Sequence, residues 1–412
     1  MLAAGPGRKY RARTTMLLEP VDPNERFRQR RRQTRRRRGV RRVLALAVVA
    51  IAAAVSALGM TFLNGWGGHA APAGGTTSSP TPAATVSDEP QYAPMPEEIR
   101  GVHVTAALAS LDGKLDEYLS LAEDGLTALE LDVKDENGEV GFKRQAPRLA
   151  RAVGATLPYY DPREAAAAAE AAEVYLIGRV VVFEDPVLAS NRPQMAVKHR
   201  GGGVWTNSAG LAWTNPYDKR VWRYNVDIAV AAAKAGFDEI MFDYVRFPTD
   251  GDVEAAVYAR KRKEPKAKTI TDFVAYARSR LEPLDVRVSA AVFGLTATRE
   301  MGIGQRPRRL SQELDVIYPM VYPSHFGPGE YSLDDPNAVP GITVGRALRD
   351  FRRALRGRDT VLVPWLQDFS LGREYTLEDV RAQILAARDA NAGGFLLWNP
   401  SGVYTTAALA GS

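Results

Sequence analysis

Short apolar runs rich in Val, Ile and Leu alternate with longer amphipathic stretches along most of the chain after residue 97. This alternation is typical of βα units around a parallel sheet. The runs that fit strands are residues 99–105, 126–133, 174–183, 239–244, 287–292, 316–322, 360–365 and 394–398. Eight such strands predict a closed (β/α)8 barrel, a TIM barrel, over residues 97–412.

The amphipathic stretches predict helices over residues 114–123, 162–172, 218–235, 271–281, 344–355 and 377–390. Asp161 before Pro162 is typical of an N-cap followed by a first-turn proline, and Thr376 with Asp379 predicts a capping box. A doubly wound open sheet is the alternative. Its dinucleotide-binding form requires a Gly-rich phosphate loop after the first strand, and no such loop follows residues 99–105. The barrel is therefore favoured.

The N-terminal part of the chain carries a topology signal. Residues 43–63, from Val43 to Leu63, contain no charge and are long enough to cross a bilayer as one helix. The preceding tail, residues 1–42, ends in an arginine cluster, so we expect it to be cytoplasmic and everything after Leu63 to lie outside. An uncleaved signal anchor is favoured because the apolar run is longer than a signal-peptide core. Cleavage near residues 70–73, followed by secretion, is the alternative.

Composition narrows the function classes. Residues 64–96 are rich in Gly, Ala, Pro, Ser and Thr and predict a flexible linker. The formal net charge is +6, but the basic excess is concentrated in the N-terminal arginines, so a nucleic-acid partner is not predicted. There is no cysteine, and of four histidines only His325 follows a predicted strand end. We therefore predict neither a metal site nor a cofactor.

Polar residues at the carboxyl ends of barrel strands are the first candidates for catalysis. Strand 4 ends at Asp243, a candidate glycosidic nucleophile or base, and we expect Arg246 to hold it ionised. A structural ion pair at the barrel rim is the alternative. Strand 2 ends with Asp132 and Lys134, which strict alternation places on one face, and Asp135 lies beyond them. These three predict either acid and base groups or a salt bridge.

Strand 3 carries Arg179, which like Lys134 and Arg246 is a candidate for substrate contact, and it ends at Glu184 and Asp185. Glu184 is a candidate acid or base, whereas Asp185 before a proline is expected to cap the following turn. The long insertion over residues 186–216 predicts a mobile wall of a saccharide cleft, with Trp205 and Trp213 stacking on sugar rings. Packing under the loop is the alternative for both tryptophans. Further candidates for catalysis or saccharide contact crowd the last three strand ends: Tyr322, His325, Trp365, Gln367, Asp368, Trp398 and Asn399.

Several runs of the sequence resemble a known family. They are GVHVTA (101–106), LELDVKDENGEV (129–140), GRVVVFEDPVLA (178–189), FDEIMFDYVRFP (237–248), YPMVYPSHFG (318–327) and PWLQDF (364–369). They resemble the bacterial "putative glycoside hydrolase domain" family, first described as a domain of unknown function and distantly related to α-amylase-like barrels. The resemblance covers residues 97–404 and implies a TIM barrel with chemistry directed at sugars.

The same resemblance places Asp243 where α-amylase-like barrels carry their strand-4 nucleophile. It also exposes a departure, because residues 289–294 of strand 5 contain no acid where those enzymes carry a glutamate. The general acid would then come from Glu184, Asp132, Asp135 or Asp368. The expected function is an extracytoplasmic, membrane-tethered glycoside hydrolase acting on a cell-envelope or environmental polysaccharide. The alternative is a catalytically inactive barrel that binds envelope glycan as a structural or sensory module.

Overall fold

Eight parallel strands follow the eight apolar runs of the sequence in the computed structural model, which describes residues 92–259 and 264–410. They are β1 (Ile99–Val104), β2 (Ala128–Lys134), β3 (Tyr175–Val181), β4 (Glu239–Asp243), β5 (Arg287–Phe293), β6 (Val316–Met320), β7 (Val361–Leu362 and Trp365–Gln367) and β8 (Gly394–Trp398). Every predicted strand is therefore confirmed, with its bounds shifted by a few residues.

The sheet closes on itself. Each strand pairs with its neighbours in chain order, and β1 pairs with β8 through Ile99 opposite Gly394. Gly394 has a φ of +126°, and a Cβ atom there would lie 2.0 Å from the carbonyl oxygen of Ile99. Only glycine permits this approach between the first and last strands. The (β/α)8 barrel is confirmed, and the open sheet is wrong.

Helices surround the strands. They are α1 (Ala106–Ala109), α2 (Lys114–Leu119), α3 (Arg148–Ala152), α4 (Pro162–Ala171), α5 (Pro186–Asn191), α6 (Lys219–Ala233), α7 (Lys266–Leu281), α8 (Pro307–Leu310), α9 (Pro340–Ala354) and α10 (Leu377–Asp389). The predicted N-cap at Asp161 and the capping box of Thr376 with Asp379 are both present. Asp185 caps α5, because its side chain accepts the N–H of Leu188 at 2.8 Å. Pro340 starts α9 earlier than the apolar pattern predicts, since proline is favourable in a first helical turn.

The core has two layers. One lies between the strands and the surrounding helices, and it includes Val102, Leu131 and Phe242. The other fills the barrel interior, with Ile177 and Met241 among its members. Alternation along each strand sends every second side chain inward, and polar inward positions accumulate toward the carboxyl ends. This bias places the candidate chemistry at the mouth of the barrel.

The insertion after β3 does not form the predicted sugar-binding wall. Trp205 is 1% exposed and Trp213 is fully buried. Local backbone pairing folds the insertion on itself, with bridges that join Glu184 to Trp213 and Lys198 to Val204. The indole Nε1 of Trp205 donates to the carbonyl oxygen of Asp252 at 2.7 Å. Both tryptophans are core residues under the loop, so mutating them is expected to cost stability rather than saccharide affinity.

The predicted cytoplasmic tail, the predicted membrane span and most of the predicted linker lie outside the described residues. Within residues 92–259 and 264–410, no helix combines the length and the apolar character needed to cross a bilayer.

Candidate active site

Arg179 joins two acidic side chains at the mouth of the barrel. It points inward from β3, and its Nη1 donates to Asp132 Oδ1 of β2 at 2.7 Å. Its Nε and Nη2 donate to Asp243 Oδ2 of β4 at 3.0 and 2.7 Å. All three side chains are at least 96% buried. The structure thus brings three predicted site residues from three neighbouring strands into one charged cluster.

The arginine also fixes the spacing of the two carboxylates. Each carboxylate oxygen is 2.7 Å from a nitrogen of the same guanidinium group. Because the guanidinium is rigid and planar, these two oxygens lie no more than about 8 Å apart. Paired carboxylates of glycosidases are roughly 5 to 10 Å apart. The upper bound of about 8 Å is compatible with this range.

Asp243 is held on both oxygens. Its Oδ1 accepts the backbone N–H of Tyr244 at 2.6 Å, while Oδ2 accepts from Arg179. Tyr244 has a φ of +49°, an unusual conformation for a residue with a bulky side chain. Such local strain is found at functional sites, where the surrounding structure compensates for it. Here it turns the chain so that the N–H group directly after β4 faces the carboxylate.

Arg246 is not the partner of Asp243, which corrects the prediction. Its guanidinium lies 4.9 Å from the ring of Trp213 and 4.6 Å from the ring of Phe293. Its Nη1 donates to the carbonyl oxygen of Phe247 at 3.1 Å. The arginine leaves the barrel axis because the turn at Tyr244 redirects the chain, and cation–π contacts then hold it.

His103 completes the cluster and was missed by the sequence reasoning. Its Nε2 lies 3.0 Å from Asp132 Oδ1, and its side chain is 2% exposed. The criterion of following a strand end selected only His325, whereas His103 lies inside β1 as its penultimate residue. The available signal was alternation, since His103 shares the inward face of β1 with Ile99 and Gly101. These four side chains, His103, Asp132, Arg179 and Asp243, form the mouth network.

Asp132 is ionised at neutral pH. Burial by itself would raise its pKa, but the charges and hydrogen bonds of His103 and Arg179 outweigh burial and lower the pKa to about 2. All of its side-chain hydrogen bonds within the described residues fall on Oδ1. Asp132 is therefore an anchored carboxylate rather than a proton donor.

Two further carboxyl groups lie deeper in the barrel and are called the floor carboxyls. Glu130 is fully buried, and neither of its oxygens has a hydrogen-bond partner among the described residues. Burial raises its pKa well above the ordinary value. Glu239 accepts from Ser289 Oγ at 2.6 Å and from the Tyr175 hydroxyl at 3.1 Å. Burial raises the pKa of Glu239 to about 7.

Aromatic rings form one side of the mouth. Trp365 and Trp398 stack with centroids 5.0 Å apart and planes at 10°. The guanidinium of Arg179 lies 5.9 Å from the first ring and 5.8 Å from the second. Trp398 is partly exposed, whereas Trp365 is 2% exposed. Tyr322 is buried nearby, and burial followed by the charge of Asp243 raises its pKa. Among these predicted contacts, Trp398 offers the accessible ring.

Lys134 does not reach the mouth. Asp132 is opposite Arg179, yet Lys134 is opposite Val180, so β2 advances by two residues while β3 advances by one. This β-bulge turns the lysine out of the barrel. Its Nζ is fully buried against α6, 2.8 Å from Asp185 Oδ2 and 2.8 Å from Asn225 Oδ1. Lys134 is a structural cation and not a substrate contact.

Three predicted acids are engaged in local structure. Asp135 Oδ1 accepts the backbone N–H groups of the turn that follows it, including that of Glu139 at 2.8 Å. Asp368 accepts the backbone N–H and the hydroxyl of Thr405, each at 2.7 Å. Glu184 Oε2 accepts the side-chain N–H of Asn207 at 2.8 Å and is 2% exposed. These contacts stabilise loops around the mouth.

The remaining predicted contacts lie at the rim. Gln367 is fully buried, with Oε1 accepting from Ser324 N and Nε2 donating to the carbonyl oxygen of Phe369. Asn399 donates its side-chain N–H to the carbonyl oxygen of Asp368. His325 is exposed, and its ring lies 5.4 Å from that of Tyr322. Only His325 and Asn399 of this group present accessible side chains.

Glu136 was also missed. Its Oε2 lies 3.8 Å from Arg179 Nη1, and its side chain is 24% exposed. It follows Asp135 in the turn after β2, so its position after a strand end was a usable signal.

Over residues 92–259 and 264–410, no three His, Cys, Asp or Glu side chains cluster closely enough to hold a metal ion.

Comparisons with known proteins agree with this architecture. A hypothetical protein from Ruminiclostridium thermocellum ATCC 27405 is 35% identical over 46% of this chain and 96% of that chain, with a TM-score of 0.41. The PgaB (BpsB) glycoside hydrolase domain from Bordetella bronchiseptica is 16% identical over 73% of this chain and 94% of that chain, with a TM-score of 0.53. The second similarity shows a shared fold. No curated protein sequence matches the chain.

The family model described as "Putative glycosyl hydrolase domain" matches residues 101–404, which include most of β1, all of β2 to β8 and the whole mouth network. The chain therefore belongs to this family of glycosyl hydrolase domains.

Proposed function

We propose that the chain hydrolyses glycosidic bonds of a cell-envelope or environmental polysaccharide, with Asp243 as the nucleophile or base. The observation that carries this proposal is the pair of carboxylates, Asp132 and Asp243, joined by one guanidinium at the mouth of the barrel. The shared guanidinium holds both carboxylates at the carboxyl ends of the strands, where barrels of this type carry their active sites. A purely structural salt bridge requires only one carboxylate for each arginine.

The surroundings of Asp243 suit attack on an anomeric centre. Arg179 and the N–H group of Tyr244 fix the orientation of the carboxylate, which nucleophilic or base catalysis requires. The partly exposed ring of Trp398 offers an apolar face on which a sugar ring can stack. A saccharide held there would lie within reach of the mouth network, since the same tryptophan lies 5.8 Å from the Arg179 guanidinium.

The proposed location is outside the cytoplasmic membrane. Residues 43–63 would anchor the chain, and residues 64–96 would connect the anchor to the barrel. Protease added to cells stripped of their outer layers should digest the barrel, and full protection would show that the orientation is wrong. Release of the barrel into the medium would instead support the cleaved-signal alternative.

A glycan-binding module without turnover is the second candidate. One observation favours it: Glu184, Asp135 and Asp368, the predicted acids other than Asp132, are engaged in local hydrogen bonds. Strand β5 likewise offers no acid, because its sequence contains neither Asp nor Glu. Under this candidate the mouth network would recognise a saccharide without cleaving it.

The deciding experiment incubates the full chain with a panel of envelope and storage polysaccharides and measures released reducing ends. Asp135→Asn is the matched control, since this aspartate caps a turn close to the mouth. The proposal expects release by wild type and by Asp135→Asn but none by Asp243→Asn. Binding of a polysaccharide without release by wild type would establish the second candidate.

A further inference from the structure

We propose that His103 is the general acid of the barrel and that Asp132 is the residue that positions it. This inference rests on the proposed function, because it assigns the proton donor that glycoside hydrolysis requires. It also accounts for the absence of an acid on β5.

The geometry is that of an oriented acid. His103 and Asp132 point inward from the adjacent strands β1 and β2, and Nε2 lies 3.0 Å from Oδ1. Within the described residues, Nδ1 has no hydrogen-bond partner, so an imidazolium held by Asp132 retains one N–H group to donate. The ring also packs on Trp398, with centroids 4.5 Å apart. A sugar stacked on that tryptophan would therefore lie next to the imidazole.

The carboxyl groups of the cluster are less suitable donors. Asp132 has a pKa lowered to about 2 by His103 and Arg179 despite its burial, and Asp243 accepts two hydrogen bonds from Arg179. Burial raises the pKa of Glu130 well above its ordinary value, but this residue is completely buried below the network. Glu136 is accessible, and it is the competitor that the experiment has to separate from His103.

The proposed step is balanced in protons and electrons. The Nδ1–H of the imidazolium passes its proton to the glycosidic oxygen while the bond from that oxygen to the anomeric carbon breaks. Asp243, or water activated by Asp243, supplies the electron pair for the new bond at the anomeric carbon. His103 is left neutral. Where Asp243 has attacked, water then displaces it from the anomeric carbon and gives its proton to His103; where water has attacked directly, its proton passes to Asp243 and on to solvent, and His103 regains a proton from solvent. Asp132 remains ionised throughout and compensates the charge of the imidazolium.

Several charged and titratable groups from neighbouring parts of the chain also surround His103. They are Glu130 and Asp132 of β2, Arg179 of β3, Asp243 of β4, Tyr322 after β6 and Tyr404 near the C-terminus, whose hydroxyl donates to the carbonyl oxygen of His103 at 2.5 Å. Removing the imidazole should thus remove one proton donor and leave the other groups in place.

The test compares leaving groups. The full chain is assayed on the polysaccharide that it cleaves and on the 2,4-dinitrophenyl glycoside of the released sugar, whose leaving group needs little protonation. His103→Gln should lower kcat on the polysaccharide by about 10²- to 10⁴-fold and on the aryl glycoside by less than about tenfold. Asp132→Asn should reproduce the leaving-group dependence while keeping the imidazole.

Two further variants make the result decisive. His199→Gln removes an exposed imidazole in the insertion after β3 and should leave both activities unchanged. Glu136→Gln removes the competing acid. If Glu136→Gln, and not His103→Gln, shows the leaving-group dependence, the proposal is overturned. The proposal would also be overturned if His103→Gln lowered kcat equally on both substrates. Should His103→Gln fail to fold, Asp132→Asn decides. No hydrolysis of any glycan by wild type would instead refute the proposed function itself.

Discussion

The mouth network and the floor carboxyls use the same chemical groups in opposite ways. At the mouth, Asp132 and Asp243 share Arg179, and cationic partners outweigh burial in keeping Asp132 ionised. At the floor, burial prevails and raises the pKa of Glu239 to about 7. The nearest partners of Glu239 are hydroxyl groups, which stabilise a negative charge less than an arginine does. The partner, and not the depth of burial, decides which carboxyl groups carry charge.

This difference explains why only the upper end of the barrel is suited to catalysis. A fixed, ionised carboxylate can attack or accept a proton, whereas a neutral carboxyl surrounded by core residues cannot reach a substrate. The floor fills the interior with carboxyl groups whose raised pKa values favour the neutral form. The predictions that follow test this comparison.

The largest effect is expected for Asp243→Asn. The amide preserves the shape but cannot attack an anomeric carbon, so turnover should fall on the order of 10⁴-fold or more. Thermal melting measured on the same protein should show a folded barrel, because Arg179 retains Asp132. An Asn variant with full activity would remove Asp243 from the mechanism.

A smaller but substantial effect on stability is expected for Arg179→Met. The substitution leaves two buried carboxylates without their shared cation, and breaking a buried ion pair in this way costs about 3 to 5 kcal/mol. Chemical denaturation near pH 7 measures the loss. Arg246→Met is the matched comparison, since its guanidinium contacts rings and a carbonyl group, and it should cost clearly less. Equal losses would mean that the mouth charges are not coupled.

The smallest effect is a change in pH dependence for Glu239→Gln. Folded Glu239 keeps its proton up to about pH 7, whereas the unfolded chain releases it from about pH 4.5. The folded state therefore binds more protons in this window, and stability should fall as pH rises through it, by about 3 kcal/mol in total. Denaturation curves between pH 4 and 8 should show a flatter profile for the variant. Ser289→Ala should steepen the decline, because it removes a hydrogen bond that favours the ionised form.

The fold could be predicted from the sequence because it depends on long apolar runs, and these runs are recognisable whatever contacts a single residue makes. Runs such as 174–183 and 394–398 are apolar on both faces, as strands between a core and a helix layer must be. Their carboxyl ends locate the mouth, so Asp132, Arg179 and Asp243 could be selected from their positions alone. The barrel topology then brings them together.

The contacts that each polar side chain makes were harder to predict from the sequence, because they depend on departures from regular backbone geometry at single residues. The bulge after Asp132 moves Lys134 to the outside, and the positive φ of Tyr244 redirects Arg246. Neither departure has a sequence signal comparable to a run of apolar residues. His103 was missed for another reason: it lies inside a strand, whereas the other candidates were chosen because they lie at or after strand ends.

The glycine that lets β8 approach β1 also constrains how the protein is made. Gly394 lies near the end of the chain, yet its strand supplies one of the two neighbours of β1. Until that segment has been synthesised, β1 and β7 keep unpaired edges, which are sites for aggregation. Contacts of such long sequence separation slow folding, because the loop between them must close first. The nascent chain therefore cannot complete its barrel early, and chaperones that shield strand edges should matter most before Gly394 emerges.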